Sequence, residues 1–400
     1  MKIGLVSPFM PHDIVDLLDD ESRSLLQEIK GVTATPVTPM ARQWHSVGHE
    51  LSIYCLDPSI QTAFHLTGER LSIHVLPKRR NRRSLLDVYR EERRLITEAV
   101  AKEAPEVLSA QWSYEHALAA LDTGVPTIVT CHDTPLRYAW ISKSFFMTYH
   151  LFVAAKVIRS AEHLVCVSPY TAKHIKTIFR PKCPVGVIPN GLSSEVFERG
   201  RRRLNKAKHH SPKFTICSIS GWGSLKNIKS LLKAFRLLIT NGSPHELVLF
   251  GRDLGPGQAA EVWAKKHGLD DGVKFAGPKP REDIFEFLEH EADLMMHPSK
   301  IETHGMVLIE AMACGVPVIG GNKSGAVAWT LEEGKAGLLC NVHNSRSIAS
   351  AMEQVMGKSA TTQKMVEYAW NSVERRFRME QAAEANEKLL IELANTHSRL

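Results

Sequence analysis

Two glutamates, Glu302 and Glu310, bracket the start of an apolar helical run in IETHGMVLIEAMACG, residues 301–315. A carboxylate accepts from two hydroxyl donors at once, so each acid suits a vicinal diol such as a sugar or a ribose offers. Between them Gly305, Met306 and Val307 open a helix, where unpaired amides and the helix dipole attract an anion. Sugar, phosphate and ribose would then follow one another, with Glu302 on the sugar and Glu310 on the ribose. The plainer reading is an acid favourable to a helix start plus an exposed helical glutamate. A second stretch, ISGWGSLKNIKSLLKAF at 219–235, repeats the anion logic. Gly221 and Gly223 let a ligand approach the backbone, and Lys226 stands beside the next helix start. A diphosphate fits there, and so does a solvated lysine on an ordinary turn.

These residues need strands and helices to hold them. The strand candidates are KIGLVS, HELSIYCL, LSIHVLP, PTIVTCHD, HLVCVS and VGVIPNG, then FTICSIS, HELVLFG, VKFAG, ADLMMHPS, PVIGG and AGLLCN. Such continuous apolar runs suit parallel strands covered on both faces, with helices between them. The basic, apolar-poor stretch ERGRRRLNKAKHHSPK at 198–213 breaks the pattern and reads as a linker. The expected organisation is a first domain over 1–198, a linker over 199–212 and a second domain over 213–370. A helical segment over 371–400 would pack back on the first domain. Open α/β sheets bind ligands at the carboxyl ends of their strands, so a cleft between the domains is the expected site. Glu302 then sits at the end of the strand ADLMMHPS.

Composition narrows the class of partner. The 400 residues carry a formal charge of +7 and 44% hydrophobic residues, which describes a globular protein with anionic partners. Seven cysteines, Cys55, Cys131, Cys166, Cys183, Cys217, Cys314 and Cys340, show no CxxC pair or zinc-ligand spacing and read as reduced thiols. There is no Asp-x-Asp pair, and no metal is expected. The start MKIGLVSPF reads as a buried strand rather than an export signal. SFFMTYHLFVAAKVI at 144–158 is interrupted by polar residues and reads as a partly buried helix. LPKRRNRRSLLDVYREERR at 76–94 is a basic run, either a solvated face or an attachment, to an acidic acceptor or to an anionic membrane through 78–83. No nucleic-acid module is present, so nucleic acid is not an expected partner.

The acids with their following AMACGVPVI resemble the donor-site signature of retaining GT-B glycosyltransferases, family 4 (group 1). ISGWGSLKN resembles that family's phosphate loop, with Lys226 on the phosphate-binding lysine. VIPNGLSSEVF (187–197), PTIVTCHD (126–133) and VGHELSIY (47–54) resemble further family stretches in the same order. The resemblance covers nearly the whole chain. It implies two Rossmann-like, doubly wound parallel-sheet domains facing a central cleft. It also implies transfer of a hexose-type sugar from a UDP- or GDP-sugar, without cofactor or metal, to a glycan or lipid-linked acceptor. Surface polysaccharide or lipopolysaccharide synthesis, in the cytoplasm or at the inner face of the plasma membrane, is the setting this implies.

On that resemblance His132, Glu302 and Lys226 are the catalytic candidates. His132 would reach the donor sugar near the reacting carbon. Gly221, Gly223, Lys226, Glu302, His304, Gly305, Met306, Val307 and Glu310 bind the donor, Pro278 and Lys279 border the base, and Arg252 supplies a further charge. Gly31, Trp112 and Asp133 face the acceptor. Three departures stand out: the phosphate loop lacks the family's arginine, Trp329 replaces an acid, and Gly31-Val32 follows an acidic insertion at 11–30. A GT-B sugar-nucleotide epimerase and a non-catalytic sugar-nucleotide receptor are the other classes these residues admit.

Overall fold

The computed structural model describes residues 1–80, 83–143, 145–206, 213–239, 244–357 and 359–397. The chain divides into two units, one made of Met1–Gly191 with Met379–Leu400 and the other of Leu192–Arg378.

In the first unit the apolar runs form β1 (Lys2–Val6), β2 (Glu50–Asp57), β3 (Phe64–Gly68), β4 (Leu71–Pro77), β5 (Val107–Gln111), β6 (Thr127–Cys131), β7 (His163–Cys166) and β8 (Val185–Val187). They lie in the order β3-β4-β2-β1-β5-β6-β7-β8. Only β3 runs antiparallel, against β4 at the sheet edge. The sequence pattern misses β3 and β5. β3 is a short edge strand. β5 reads VLSAQ, too polar to mark a strand, yet it sits between β1 and β6 with every residue buried. Helices cover both faces. Val37, Ala41 and Trp44 pack with Ile3 and Leu5 on one side, and Ala117, Val153 and Val157 pack with Leu108 and Val129 on the other.

The second unit forms β9 (Thr215–Ile219), β10 (Glu246–Phe250), β11 (Val273–Gly277), β12 (Leu294–Met296), β13 (Val318–Gly321) and β14 (Leu338–Cys340). All pair in parallel in the order β11-β10-β9-β12-β13-β14. Numbered within the unit this is 3-2-1-4-5-6, the doubly wound dinucleotide-binding order.

The domain limits differ from expectation at both crossings. The first unit ends at Gly191, not 198, and the second runs to Arg378, not 370. Residues 199–205 of the expected 199–212 linker belong to the helix Ser194–Asn205, which packs inside the second unit, while 207–212 lie outside the described residues. The run of arginines misled because their partners are distant in sequence. Arg202 donates to the buried Glu289, and Arg203 donates to the carbonyls of Leu288, Glu289 and Ala292. The 371–400 segment also divides. The helix Ser359–Arg376 lies in the second unit, and the helix Met379–His397 packs on the first, where Trp44 Nε1 donates to Ala383 O at 3.1 Å.

Candidate active site

A doubly wound sheet opens a crevice where the strand order reverses, because the loops on either side turn away from each other. In the second unit that point lies between β9 and β12. The loop after β9 carries Gly221, Gly223 and Lys226, and the loop after β12 carries Glu302. Lys226 Nζ donates to Glu302 Oε1 at 2.6 Å, and His297 Nε2 lies 2.9 Å from the same oxygen. Burial works against charge on Glu302, but Lys226 and the His297 hydrogen bond hold its carboxyl well below the ordinary carboxylate range. The Glu302 backbone is fixed too: its amide donates to Ser324 O and its carbonyl accepts from Ala326 N.

The glycines of the phosphate loop have no structural need to be small. A Cβ at Gly223 would meet nothing within 4 Å, and one at Gly221 would make ordinary contact with Arg252 O. The space they leave opens outward. Asn227 fastens the loop by donating to Pro298 O and Val342 O. The constrained glycine is Gly251, after β10, at φ +127 with Ser220 O in the place a Cβ would take. Sequence reading passed over it.

Gly305, at φ +86, starts the helix Met306–Ala313. Leu308 N bonds to Gly305 O, so the amides of Gly305, Met306 and Val307 precede the first intrahelical bond. Glu310 sits in this helix, buried, with Arg281 Nη2 at 2.8 Å. Burial pushes the Glu310 carboxyl up, and Arg281 opposes this without cancelling it. Arg281 and His297 are the two residues sequence reading missed. Each lay inside a quoted segment, but only the fold shows that they face the two acids.

Other expected donor residues fall differently. Arg252 contributes its carbonyl, which accepts from Trp222 N, while its side chain is 92% exposed with Asp253 at 3.9 Å. The His304 ring is buried edge-on to Trp329 and Phe377, so it supports the loop from the core side. Trp329, where the family has an acid, belongs to that aromatic cluster. Pro278 and Lys279 are exposed, in the loop after β11.

In the first unit the order reverses between β1 and β5. Trp112, after β5, stacks on His132, after β6, with ring centroids 4.3 Å apart. His132 Nε2 lies 2.8 Å from Gln111 Oε1, an acceptor, so Nε2 holds the proton and Nδ1 the lone pair. Burial pushes the His132 pKa down to about 3 and the Asp133 pKa up to about 6. Gly31 lies in the loop after β1, where its amide donates to Asp57 Oδ2 at 2.7 Å. Unfolded, His132 would take a proton near pH 6.5. Folded, it resists protonation down to about 3, so its contribution is complete above 6.5 and is lost as pH falls towards 3. Urea denaturation at stepped pH should therefore show His132→Gln flattening the acid limb by about 1.4 kcal/mol per pH unit.

Among the described residues one group could ligate a metal, His65 and His74 on the β3–β4 hairpin with Glu103. Lys2 Nζ and Ser72 Oγ already bond to that glutamate.

The family described as Glycosyl transferases group 1 matches residues 201–372, and Glycosyltransferase Family 4 matches 34–196. The chain is a family 4, group 1 glycosyltransferase. N-acetyl-alpha-D-glucosaminyl L-malate synthase of Bacillus anthracis is 25% identical over 295 residues, spanning 71% of this chain and 74% of that protein. D-inositol 3-phosphate glycosyltransferase of Corynebacterium jeikeium is 29% identical over 222 residues, about half of each chain (53% and 52%). Sucrose-phosphate synthase from Thermosynechococcus elongatus superposes with a TM-score of 0.75 at 17% identity, covering 99% of both chains. HepE from Anabaena, in complex with UDP and glucose, superposes with 0.65 at 18% identity, covering 97% of this chain and 98% of its own. The fold of this glycosyltransferase is GT-B, with a Rossmann-like sheet in each unit. Among its described residues no helix is long and apolar enough to cross a membrane.

Proposed function

We propose that this glycosyltransferase moves a hexose-type sugar from a UDP- or GDP-sugar to a glycan or lipid-linked acceptor, with retention of anomeric configuration, in surface polysaccharide or lipopolysaccharide assembly. The observation that carries the reading is the contact of Lys226 with Glu302 at the strand switch of the second unit, with the helix start at 305–307 following Glu302 in the same segment. The diphosphate lies against Lys226 and the helix start. Glu302 orients the donor sugar, Glu310 takes the ribose once Arg281 moves aside, and Pro278 and Lys279 border the base. His132 offers a neutral imidazole to a substrate hydroxyl, with Trp112, Asp133 and Gly31 on the acceptor side.

The bond from the anomeric carbon to the donor phosphate oxygen breaks as the acceptor oxygen bonds that carbon on the same face. The acceptor's proton passes to the leaving phosphate. Lys226 and the amides offset the charge that develops there, which lowers the barrier because the interaction strengthens as the bond breaks. No divalent metal is required in this reading, so turnover should survive EDTA. Loss of turnover that magnesium restores would overturn that part.

The test is a thermal-shift panel of UDP- and GDP-sugars followed by product analysis. A ligand that binds the folded state raises the midpoint. UDP-sugars come first because HepE holds UDP and glucose. L-malate and D-inositol 3-phosphate, from the relatives' names, serve as soluble acceptors beside lipid-linked ones. An anomeric proton signal matching the donor's configuration supports retention. A panel in which no nucleotide sugar moves the midpoint defeats the reading. A donor altered without any acceptor indicates the epimerase chemistry instead.

A further inference from the structure

Of the cations expected to meet a membrane at 78–83, Lys78, Arg79 and Arg80 are engaged within the fold. Lys78 pairs with the buried Glu115, Arg79 with Asp87 and Glu92, and Arg80 donates to Pro58 O. Residues 81–82 lie outside the described residues. The unengaged cations are elsewhere in the same unit.

The helices Pro135–Ser142 and Phe145–Ser160 follow His132 and pack on each other. From Thr134 to Ala161 the sequence contains no acidic residue, while Arg137, Lys143, Lys156 and Arg159 are basic. None of these cations has a carboxylate within 4.0 Å among the described residues, and all are exposed. Trp140, Phe145 and Phe152 are exposed by 76%, 80% and 69%. Large aromatics grouped at that exposure and rimmed by polar residues are the kind of surface that marks an interaction site.

Helix geometry aligns the two sets. Phe145, Phe152, Lys156 and Arg159 stand at i, i+7, i+11 and i+14, one stripe along the second helix. The stripe is about 20 Å long at 1.5 Å per residue. The opposite face is locked inward, since Val153, Ala154, Val157 and Ile158 are buried in the core. The stripe's direction is therefore fixed by packing. Leu86, 84% exposed, ends the nearby short helix Arg83–Leu86, and Tyr89 just beyond it bonds to His150 of the longer helix.

We propose that these two helices form a docking surface for an anionic lipid bilayer. Aromatic rings enter the headgroup boundary while neighbouring cations meet lipid phosphates, which is the composition an in-plane interfacial helix needs. A second copy of the chain fits less well, because a twofold contact sets the stripe near itself and it carries no acid to meet its own cations. The surface extends the lipid-linked acceptor in the reading above, and its test reads no sugar transfer, so either can fail alone.

The test is flotation with phosphatidylcholine vesicles and with an equimolar mixture of phosphatidylcholine and phosphatidylglycerol. The full chain should float with the mixture and not with the neutral vesicles. Trp140→Ser with Phe145→Ser and Phe152→Ser should abolish flotation, and Lys143→Gln with Lys156→Gln should weaken partitioning by about thirty-fold. All these side chains are exposed, so the unfolding midpoints should stay at the wild-type value. The proposal is overturned if the wild type stays unbound, floats equally with both vesicles, or if the aromatic variant floats as well as wild type. It is equally overturned if light scattering shows a dimer that the aromatic variant converts to monomer.

Discussion

Lys226→Ala should lower turnover by about 10²–10³-fold at saturating donor, the usual loss when one preorganised donor to a developing anion is removed. The expectation follows from position. Lys226 already points at the strand switch, where Glu302 holds it at 2.6 Å. Stability should change much less. His297 still donates to Glu302, and the Lys226 side chain is more than a third exposed, so the loss is on the order of 1 kcal/mol. Glu302→Gln keeps the shape and removes the charge, and should also cost turnover while the urea midpoint moves little. Rates and midpoints measured together separate the two effects. A Lys226→Ala enzyme with wild-type kcat would end the role given to that residue.

Gly200→Ala should destabilise the second unit by about 3 kcal/mol or more, at or beyond the upper end of ordinary overpacking. A Cβ on Gly200 would lie 1.9 Å from the Ala313 carbonyl oxygen and 2.7 Å from the Trp370 ring. The first obstacle is backbone and cannot rotate away. It also belongs to the helix that carries Val307 and Glu310, so affinity for the proposed nucleotide-sugar donor should fall along with stability. A flexible linker makes the opposite prediction, because Gly→Ala in an unstrained segment stabilises by about 0.4–1 kcal/mol. Urea denaturation of this one variant therefore separates a packed helix from a tether by the sign of its effect.

The candidate donor residues could be picked out because the chemistry proposed for them limits the residue types that can serve. A carboxylate at a strand end, a second acid in the following helix and a lysine before another helix are local patterns, and the structure brings each to the edge of one sheet. The partners that tune them were not legible. His297 and Arg281 act on acids 5 and 29 residues away in sequence, and no spacing rule links them. β5 was hidden because a central strand covered on both faces tolerates Ser109 and Gln111, whose side chains bond to each other. The arginines of 199–203 looked solvated because sequence shows charge and not its neutralising partner. Arg252 adds something that its charge does not advertise: its backbone carbonyl, not its side chain, makes the contact to the loop at Trp222.

The crossings at Gly191 and Met379 have a consequence for the newborn chain. Trp44 and its neighbours in the first core are covered by Met379, Ala383, Leu390 and Leu393. These residues leave the ribosome only after the whole second unit has emerged. The first unit is thus completed only after the second, and it must wait with an open apolar seam while the inserted unit folds. A nascent chain stalled before residue 379 should be a strong client for a chaperone that binds apolar surface.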